Sequence, residues 1–166
     1  MLFRSKITIV EPNATGGLIH FAYQMADALA DCGAEVTLVT GWDYELAHLP
    51  HRFKVDPSMR LMPIFSTSAD LARSTGRLGR LLRRAKRALL LVSAWTRLTL
   101  RLRRERPDAV IVGVMHFPFQ ALCFKAIAVR GTPILQVCHE IEKRDSARSW
   151  WNRYVSTPIL RVGYRA

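Results

Sequence analysis

Two adjacent glycines, Gly16 and Gly17, open a predicted helix directly after a predicted strand. Glycine lets the backbone approach a ligand closely, and the free amides and dipole of a helix N-terminus favour an anion. A diphosphate is one natural guest of such a loop. The alternative is a tight strand-to-helix turn that needs glycine for its conformation alone, and position does not decide between the two. A dinucleotide site is disfavoured because the loop lacks the GxGxxG pattern.

Two histidines also follow predicted strands. His116 comes after AVIVGV, beside Phe117 and Phe119, whereas His139 comes after PILQV and is followed at once by Glu140. A histidine in such a place can hydrogen-bond sugar hydroxyls or organise a reacting centre. The alternative is a loop histidine that caps or packs. The sequence shows no Ser/His/Asp triad, zinc-ligand spacing or P-loop, so we expect no metal or other cofactor.

Strands and helices alternate along most of the chain, which predicts a doubly wound parallel α/β sheet of the Rossmann-like kind in a single domain. β-Branched runs predict strands at Lys6–Val10, Glu35–Thr40, Met59–Phe65, Ala109–Val114 and Pro133–Val137. Apolar residues at helical spacing predict helices at Leu18–Cys32, Leu78–Arg104, from Phe119 to just before Gly131, and from about Ala147 towards Tyr164.

The predicted sheet brings the candidate residues to one edge. Ligands of such sheets bind beyond the carboxyl ends of the strands. The loop at Asn13–Gly17, the loop around His116 and the loop at His139 each follow a strand. We therefore expect these three loops on one rim.

The formal charge of +12 is concentrated in one predicted helix. Residues 73–106 hold twelve basic residues and one acid, or +11. A helical wheel predicts a core-facing stripe of Leu78, Leu81, Leu82, Ala85, Leu89 and Val92. The basic residues around this stripe are the candidate membrane-binding residues Arg80, Arg83, Arg84, Lys86 and Arg87. A second apolar set is predicted to enter the headgroup region of the membrane, namely Leu90, Leu91, Trp95 and Leu98. The alternative is a core helix with a solvated basic back.

The remaining composition favours an ordered cytoplasmic protein that can associate peripherally with the inner face of the membrane. The chain is 49% hydrophobic, its three cysteines have no metal-ligand spacing, and Met1–Glu11 lacks the apolar region of a signal peptide. We expect Cys32, Cys123 and Cys138 to be reduced core thiols. Nucleic-acid binding is disfavoured because no such motif is present and the charge is confined to one helix.

Two long runs of the sequence resemble family 4 retaining glycosyltransferases. They are GGLIHFAYQMADALADCGAEVTLVTG and RRERPDAVIVGVMHFPFQALCFKAIAVRGTPILQVCHE. The resemblance implies that residues 1–166 are the acceptor-side N-terminal domain of a GT-B fold, with the C-terminal donor-binding domain absent. The implied activity is transfer of a sugar from a nucleotide-sugar donor to a sugar or lipid-linked acceptor, in glycan or polysaccharide biosynthesis.

The same resemblance assigns roles to the rim residues. Gly16 and Gly17 would lie near the donor diphosphate, and His116 and Glu140 would contribute to substrate binding. His139 would be the catalytic residue, with an electrostatic and positioning role beside the transferred sugar. On this basis the chain alone would be inactive without a donor-binding domain, in cis or as a partner chain. The alternative function is a non-catalytic membrane-anchoring subunit of a split glycosyltransferase.

Overall fold

The computed structural model describes residues 4–59, 61–62 and 77–137, which form a five-stranded parallel sheet with helices on both faces. The strand order is β3-β2-β1-β4-β5, and every neighbouring pair is parallel. The strands are β1 Lys6–Val10, β2 Glu35–Val39, β3 Lys54–Asp56, β4 Ala109–Val112 and β5 Ile134–Gln136, and the helices are α1 Gly17–Asp31, α2 Arg77–Glu105 and α3 Phe119–Ala128. The predicted doubly wound sheet is confirmed.

Alternation along the strands divides the core between the two faces of the sheet, because successive side chains of a strand point to opposite sides. Ile9 of β1 belongs to a cluster with Ile19, Ala22 and Ala26 of α1. Its neighbour Val10 belongs to the opposite cluster, in which α2 and α3 supply residues that include Leu91, Trp95, Leu98, Leu102, Phe124 and Ile127. Each face of the sheet is therefore covered by helix.

The third strand is not where the sequence predicted it. Lys54–Asp56 pairs with Thr37–Val39 of β2, whereas residues 59, 61 and 62 of the predicted Met59–Phe65 strand have no strand structure and the rest of that range lies outside the described residues. Leu61 explains the difference: it is fully buried, and its carbonyl accepts a hydrogen bond from the indole Nε1 of Trp95 at 3.2 Å. This segment therefore packs against a helix instead of extending the sheet. The predicted last helix, near Ala147, also lies outside the described residues.

The long basic helix α2 faces the core with a different side from the one predicted. Leu91, Trp95, Leu98 and Leu102 are buried, so three of the four residues expected in the membrane headgroup region form core instead. The predicted core stripe is exposed, with Leu78, Leu81, Leu82 and Leu89 between 62% and 71% accessible. The prediction was wrong because the sheet covers only the C-terminal half of the helix, whose apolar residues repeat on another side.

Helix α2 extends past the sheet at its N-terminal end. It connects the parallel strands β3 and β4, so it runs antiparallel to them and begins at the carboxyl edge. None of residues 78–90 is buried, and Leu91 is the first core residue. At 1.5 Å per residue, residues 77–90 add about 20 Å beyond the core-facing half. We call residues 77–90 the α2 overhang.

The cysteines differ in their burial. Cys32 is the exposed C-cap residue that follows the last turn of α1, so the expectation of a core thiol is wrong there. Cys123 is half-buried on α3, where burial raises the pKa of its thiol. Cys138 lies outside the described residues.

Candidate functional site

The strand order creates a switch point between β1 and β4. The chain leaves β1 towards β2 on one side and enters β4 from the far side, and ligands of open α/β sheets bind beyond the carboxyl ends of the strands where the strand order reverses in this way. The loop after β1 runs from Glu11 to Gly16, and the loop after β4 runs from Gly113 to Pro118. The structure therefore brings Gly16, Gly17 and His116 to one rim, as predicted.

The backbone requires glycine at only one of the two glycine positions in the first loop. Gly16 has a φ of +87°, in the region that favours glycine, and it caps α1. Gly17 has no such φ, and a Cβ placed there would meet nothing within 4 Å. The conformation of the turn therefore explains the glycine at position 16. In the described part of the protein, neither backbone conformation nor packing requires a glycine at position 17.

A carboxylate already contacts this loop. The backbone N–H of Gly16 donates to Oε1 of Glu45 at 2.7 Å, and Nε2 of His20 lies 3.1 Å from the same oxygen. The amides of Gly17 and Leu18 belong to the first turn of α1, where the helix itself supplies no acceptor. The loop therefore binds one anionic group from its own chain and retains first-turn amides that can face another.

A hydrogen bond joins the two rim loops. Nδ2 of Asn13, in the loop after β1, lies 3.2 Å from Nε2 of His116, in the loop after β4. Burial lowers the pKa of His116, because an imidazolium loses hydration there. His116 lies exposed at the rim, and this partial loss of hydration biases its ring towards the neutral form.

A buried acid, Glu11, forms hydrogen bonds that fix the loop after β1. It is only 1% exposed, and its Oε1 accepts hydrogen bonds from the backbone N–H of Asn13 at 2.9 Å and from Nδ2 of Asn13 at 2.8 Å. Its other oxygen, Oε2, lies 1.9 Å from the point where a Cβ on Gly113 would be. Sequence reasoning passed over Glu11, although an acid directly after a β-branched buried run was a signal that could have identified it.

Aromatic side chains extend the rim beyond His116. The rings of Phe117 and Phe119 stack with their centroids 6.0 Å apart. The backbone N–H of Phe117 donates to Oε1 of the fully buried Gln120 at 2.8 Å, which fixes the loop to the first turn of α3. The rim thus combines amides, an imidazole and an apolar surface, a set that suits a ligand with both polar and apolar faces.

Two of the predicted site residues cannot be compared with the structure. His139 and Glu140 lie outside the described residues, which end at residue 137. Strand β5, which precedes them, ends at Gln136 and is parallel to β4. Among the described residues, no group of three or more His, Cys, Asp and Glu side chains is arranged to hold a metal ion.

A family model matches most of this sequence. The model described as Glycosyltransferase Family 4 matches residues 15–166. The chain belongs to Glycosyltransferase Family 4. No curated protein sequence matches this family 4 chain significantly.

Solved structures show the same fold for this family 4 domain. MurG of Acinetobacter baumannii superposes with a TM-score of 0.52 at 14% identity, over 80% of this chain and 34% of that one. The glycotransferase of kitacinnamycin superposes with a TM-score of 0.53 at 18% identity, over 98% of this chain and 38% of that one. The chain thus spans little more than a third of either structure. At these identities the likeness shows the fold, that of the N-terminal half of a GT-B glycosyltransferase.

Within residues 4–59, 61–62 and 77–137, no helix is both long enough and apolar enough to cross a bilayer. Helix α2 has the length, but its basic residues lower its hydropathy.

Proposed function

We propose that this domain forms the acceptor side of a cleft in which a sugar passes from a nucleotide-sugar donor to an acceptor, in glycan or polysaccharide biosynthesis. The observation that carries the proposal is the hydrogen bond between Asn13 and His116, at the switch point of a family 4 sheet. It joins the glycine-rich loop, which suits an anion, to the histidine loop, which suits a sugar.

Each rim group has a chemical task in this proposal. The first-turn amides at Gly17 face the donor diphosphate, since a helix N-terminus favours negative charge. His116 and Glu140 contact substrate hydroxyls. His139, by the resemblance to family 4, stabilises charge beside the transferred sugar without attacking it. No metal or other cofactor enters this scheme.

A titration of the ¹⁵N-labelled chain with nucleotide sugars tests the donor part of the proposal. UDP-glucose, GDP-mannose and dTDP-rhamnose, added to millimolar concentration, represent different bases and sugars. We expect at least one of them to shift the amide resonances of Gly16, Gly17 and His116 more than those of β3 or β5. Shifts confined to other surfaces, or no shift with any of the three, would contradict a diphosphate site at this rim.

A second candidate function is a non-catalytic subunit that anchors a separate donor-binding chain to the membrane. The α2 overhang favours this function, because it presents an amphipathic surface that the sheet does not use. Purification of the tagged chain from its native cells separates the two candidates. A co-purifying chain with a donor-binding domain, and transfer activity that survives His116→Ala and His139→Ala, would support the anchoring function over the catalytic one.

Membrane docking is compatible with both candidates, and we propose an anionic lipid surface as the partner of the α2 overhang. Its exposed leucines, Leu78, Leu82 and Leu89, lie within 40° of one another on a helical wheel, with Leu81 on the same side. The basic residues Arg80, Arg84 and Arg87 lie on the opposite side. Leucines can enter the headgroup region while the basic residues attract anionic lipid, an arrangement useful for a lipid-linked acceptor.

A further inference from the structure

We infer that Asn13, held by Glu11, is a positioning residue that fixes His116 in the neutral tautomer with its proton on Nδ1. The imidazole then offers an N–H donor to a ligand at the rim. The tautomer follows from the geometry of this chain alone, whereas the identity of the ligand rests on the proposed function.

The contacts at Glu11 determine which atom of the Asn13 amide is nitrogen. Oε1 of Glu11 accepts from the backbone N–H of Asn13 at 2.9 Å, so this oxygen acts as an acceptor. The side-chain atom of Asn13 at 2.8 Å from the same oxygen must then be a donor, which only the NH₂ group can be. The orientation of the amide is therefore set by hydrogen bonding.

The same amide determines the tautomer of His116. An NH₂ group has two hydrogens, and Glu11 takes one of them. Nε2 of His116, at 3.2 Å, faces the same nitrogen atom, which can only donate. Nε2 must therefore be the acceptor and carry a lone pair. In a neutral imidazole the proton then lies on Nδ1.

This tautomer restricts the chemistry of His116. Free imidazole side chains in water favour the proton on Nε2, so the network selects the less common form. The lone pair of Nε2 is occupied by Asn13, and Nδ1 carries the proton, so neither nitrogen is available as a general base. Protonation of Nε2 would replace the hydrogen bond to Asn13 with a contact between two donors. His116 is thus suited to donate a hydrogen bond to a hydroxyl or phosphoryl oxygen.

The burial of Glu11 indicates that its hydrogen bonds with Asn13 have a specific role beyond forming a turn. A carboxylate that is 1% exposed loses most of its hydration, a loss that the two hydrogen bonds from Asn13 offset. A loop that needed only to turn could have used an apolar side chain at residue 11. Gly113 adds the space, because any Cβ there would overlap Oε2 of Glu11.

Long-range ¹H–¹⁵N spectra of the histidine rings test the inference on the whole chain. We expect Nε2 of His116 to be unprotonated and Nδ1 to be protonated at neutral pH. His20 is an internal control, because its Nε2 lies 3.1 Å from a carboxylate oxygen of Glu45 and must be the donor there. Histidine-to-glutamine variants assign the two rings. A protonated Nε2 in the ring of His116 of the unaltered chain would overturn the inference without any further variant.

Asn13→Ala tests the positioning role. We expect its His116 to move towards the tautomer protonated on Nε2, because the donor that occupied this nitrogen is gone. Thr15→Ala, an exposed change in the same loop, is the matched control and should leave the His116 signals unchanged. Identical His116 signals in Asn13→Ala and the unaltered chain, with the fold verified by circular dichroism, would show that Asn13 does not position the ring.

The ligand step has its own measurement. Addition of UDP-glucose, GDP-mannose or dTDP-rhamnose should shift the Nδ1 signal of His116 more than that of His20. A correct tautomer with no response to any donor would contradict the donor-diphosphate part of the proposed function and leave the positioning role intact. A response to a donor in a ring whose Nε2 is protonated would contradict the positioning role of Asn13 and leave the donor-diphosphate part of the proposed function intact.

Discussion

Gly113 leaves room for a carboxylate at the place where its own side chain would begin. A methyl group on residue 113 would lie 1.9 Å from Oε2 of Glu11, whose side chain is 1% exposed and would have to shift. We expect Gly113→Ala to lower the free energy of unfolding by about 1–3 kcal/mol, as overpacking commonly does. Thermal denaturation followed by circular dichroism measures the change.

Gly17→Ala is the matched control for this prediction. A Cβ at residue 17 meets nothing within 4 Å, and the backbone there needs no positive φ. We expect it to leave stability unchanged or to raise it by about 0.4–1 kcal/mol, since alanine narrows the unfolded ensemble. Equal melting temperatures for the two variants would show that Glu11 can move aside freely.

We expect Glu45 to compete with any anion that binds the glycine-rich loop. Its carboxylate accepts from the N–H of Gly16 and would lie beside a bound diphosphate. We expect Glu45→Gln to tighten nucleotide-sugar binding about two- to fivefold, the effect of roughly 0.5–1 kcal/mol of exposed charge repulsion. Asp43→Asn removes an exposed acid nearby and should change affinity less. Equal affinities for Glu45→Gln and the unaltered chain, in the same NMR titration, would place the anion elsewhere.

At the scale of the element, α2 is one helix with two environments. Its C-terminal half packs on the sheet through Leu91, Trp95, Leu98 and Leu102, and Arg101 forms ion pairs with Asp56 and Glu105. Its N-terminal half is the overhang, with exposed leucines and basic residues. Charge removed from the two halves should therefore have different effects on membrane binding.

We expect the chain to co-sediment with anionic liposomes and to be released by salt, since the Debye length falls from about 10 Å at 0.1 M to about 3 Å at 1 M. Replacing Arg80, Arg84, Lys86 and Arg87 with Gln should weaken binding about ten- to hundredfold. The loss per residue should be smaller than the roughly 1 kcal/mol of a charge at the surface, because Arg80, Arg84 and Arg87 lie across the helix from the leucines. Replacing Leu78, Leu82 and Leu89 with Ser should weaken it independently.

The matched control removes the same charge from the packed half of α2 and the residue after it. Replacement of Arg97, Arg103, Arg104 and Arg106 with Gln takes away four positive charges and leaves the overhang intact. This variant should retain most of its binding. Equal losses in the two four-residue variants would indicate a response to net charge alone. Equal binding to neutral and anionic vesicles, or to neither, would leave the overhang as scaffold.

At the scale of the whole molecule, we propose that catalysis needs a donor-binding domain beside this one. In a protein that pairs the two domains, we expect His139→Ala to reduce glycosyl transfer by about 10²-fold or more, as loss of one preorganised electrostatic contact commonly does. His48→Ala, a change at an exposed histidine whose Nδ1 contacts the Glu45 carbonyl, is the control. Near-normal transfer by His139→Ala with a verified substrate would remove His139 from the catalytic machinery.

The sequence predicted the architecture well because buried parallel strands and amphipathic helices have strong periodic signals. It failed at β3, a three-residue strand too short for a periodic signal, and at α2. There, two apolar stripes exist, one through Leu78 and Leu89 and one through Leu91 and Leu102, and only the position of the sheet decides which is buried. The link from Asn13 to His116 spans 103 residues of sequence, so no local pattern could reveal it.

The α2 overhang also has a consequence for amide hydrogen exchange. An isolated helix of this length has marginal stability in water. The packed half of α2 serves as a nucleus, so helical structure needs only to propagate from it into the overhang. Protection should therefore fall gradually from Leu91 towards Leu78 instead of ending at one residue. A ligand surface that covers the leucines would slow exchange most at the residues furthest from the sheet, and the profile of protection along this one helix would locate the covered turns.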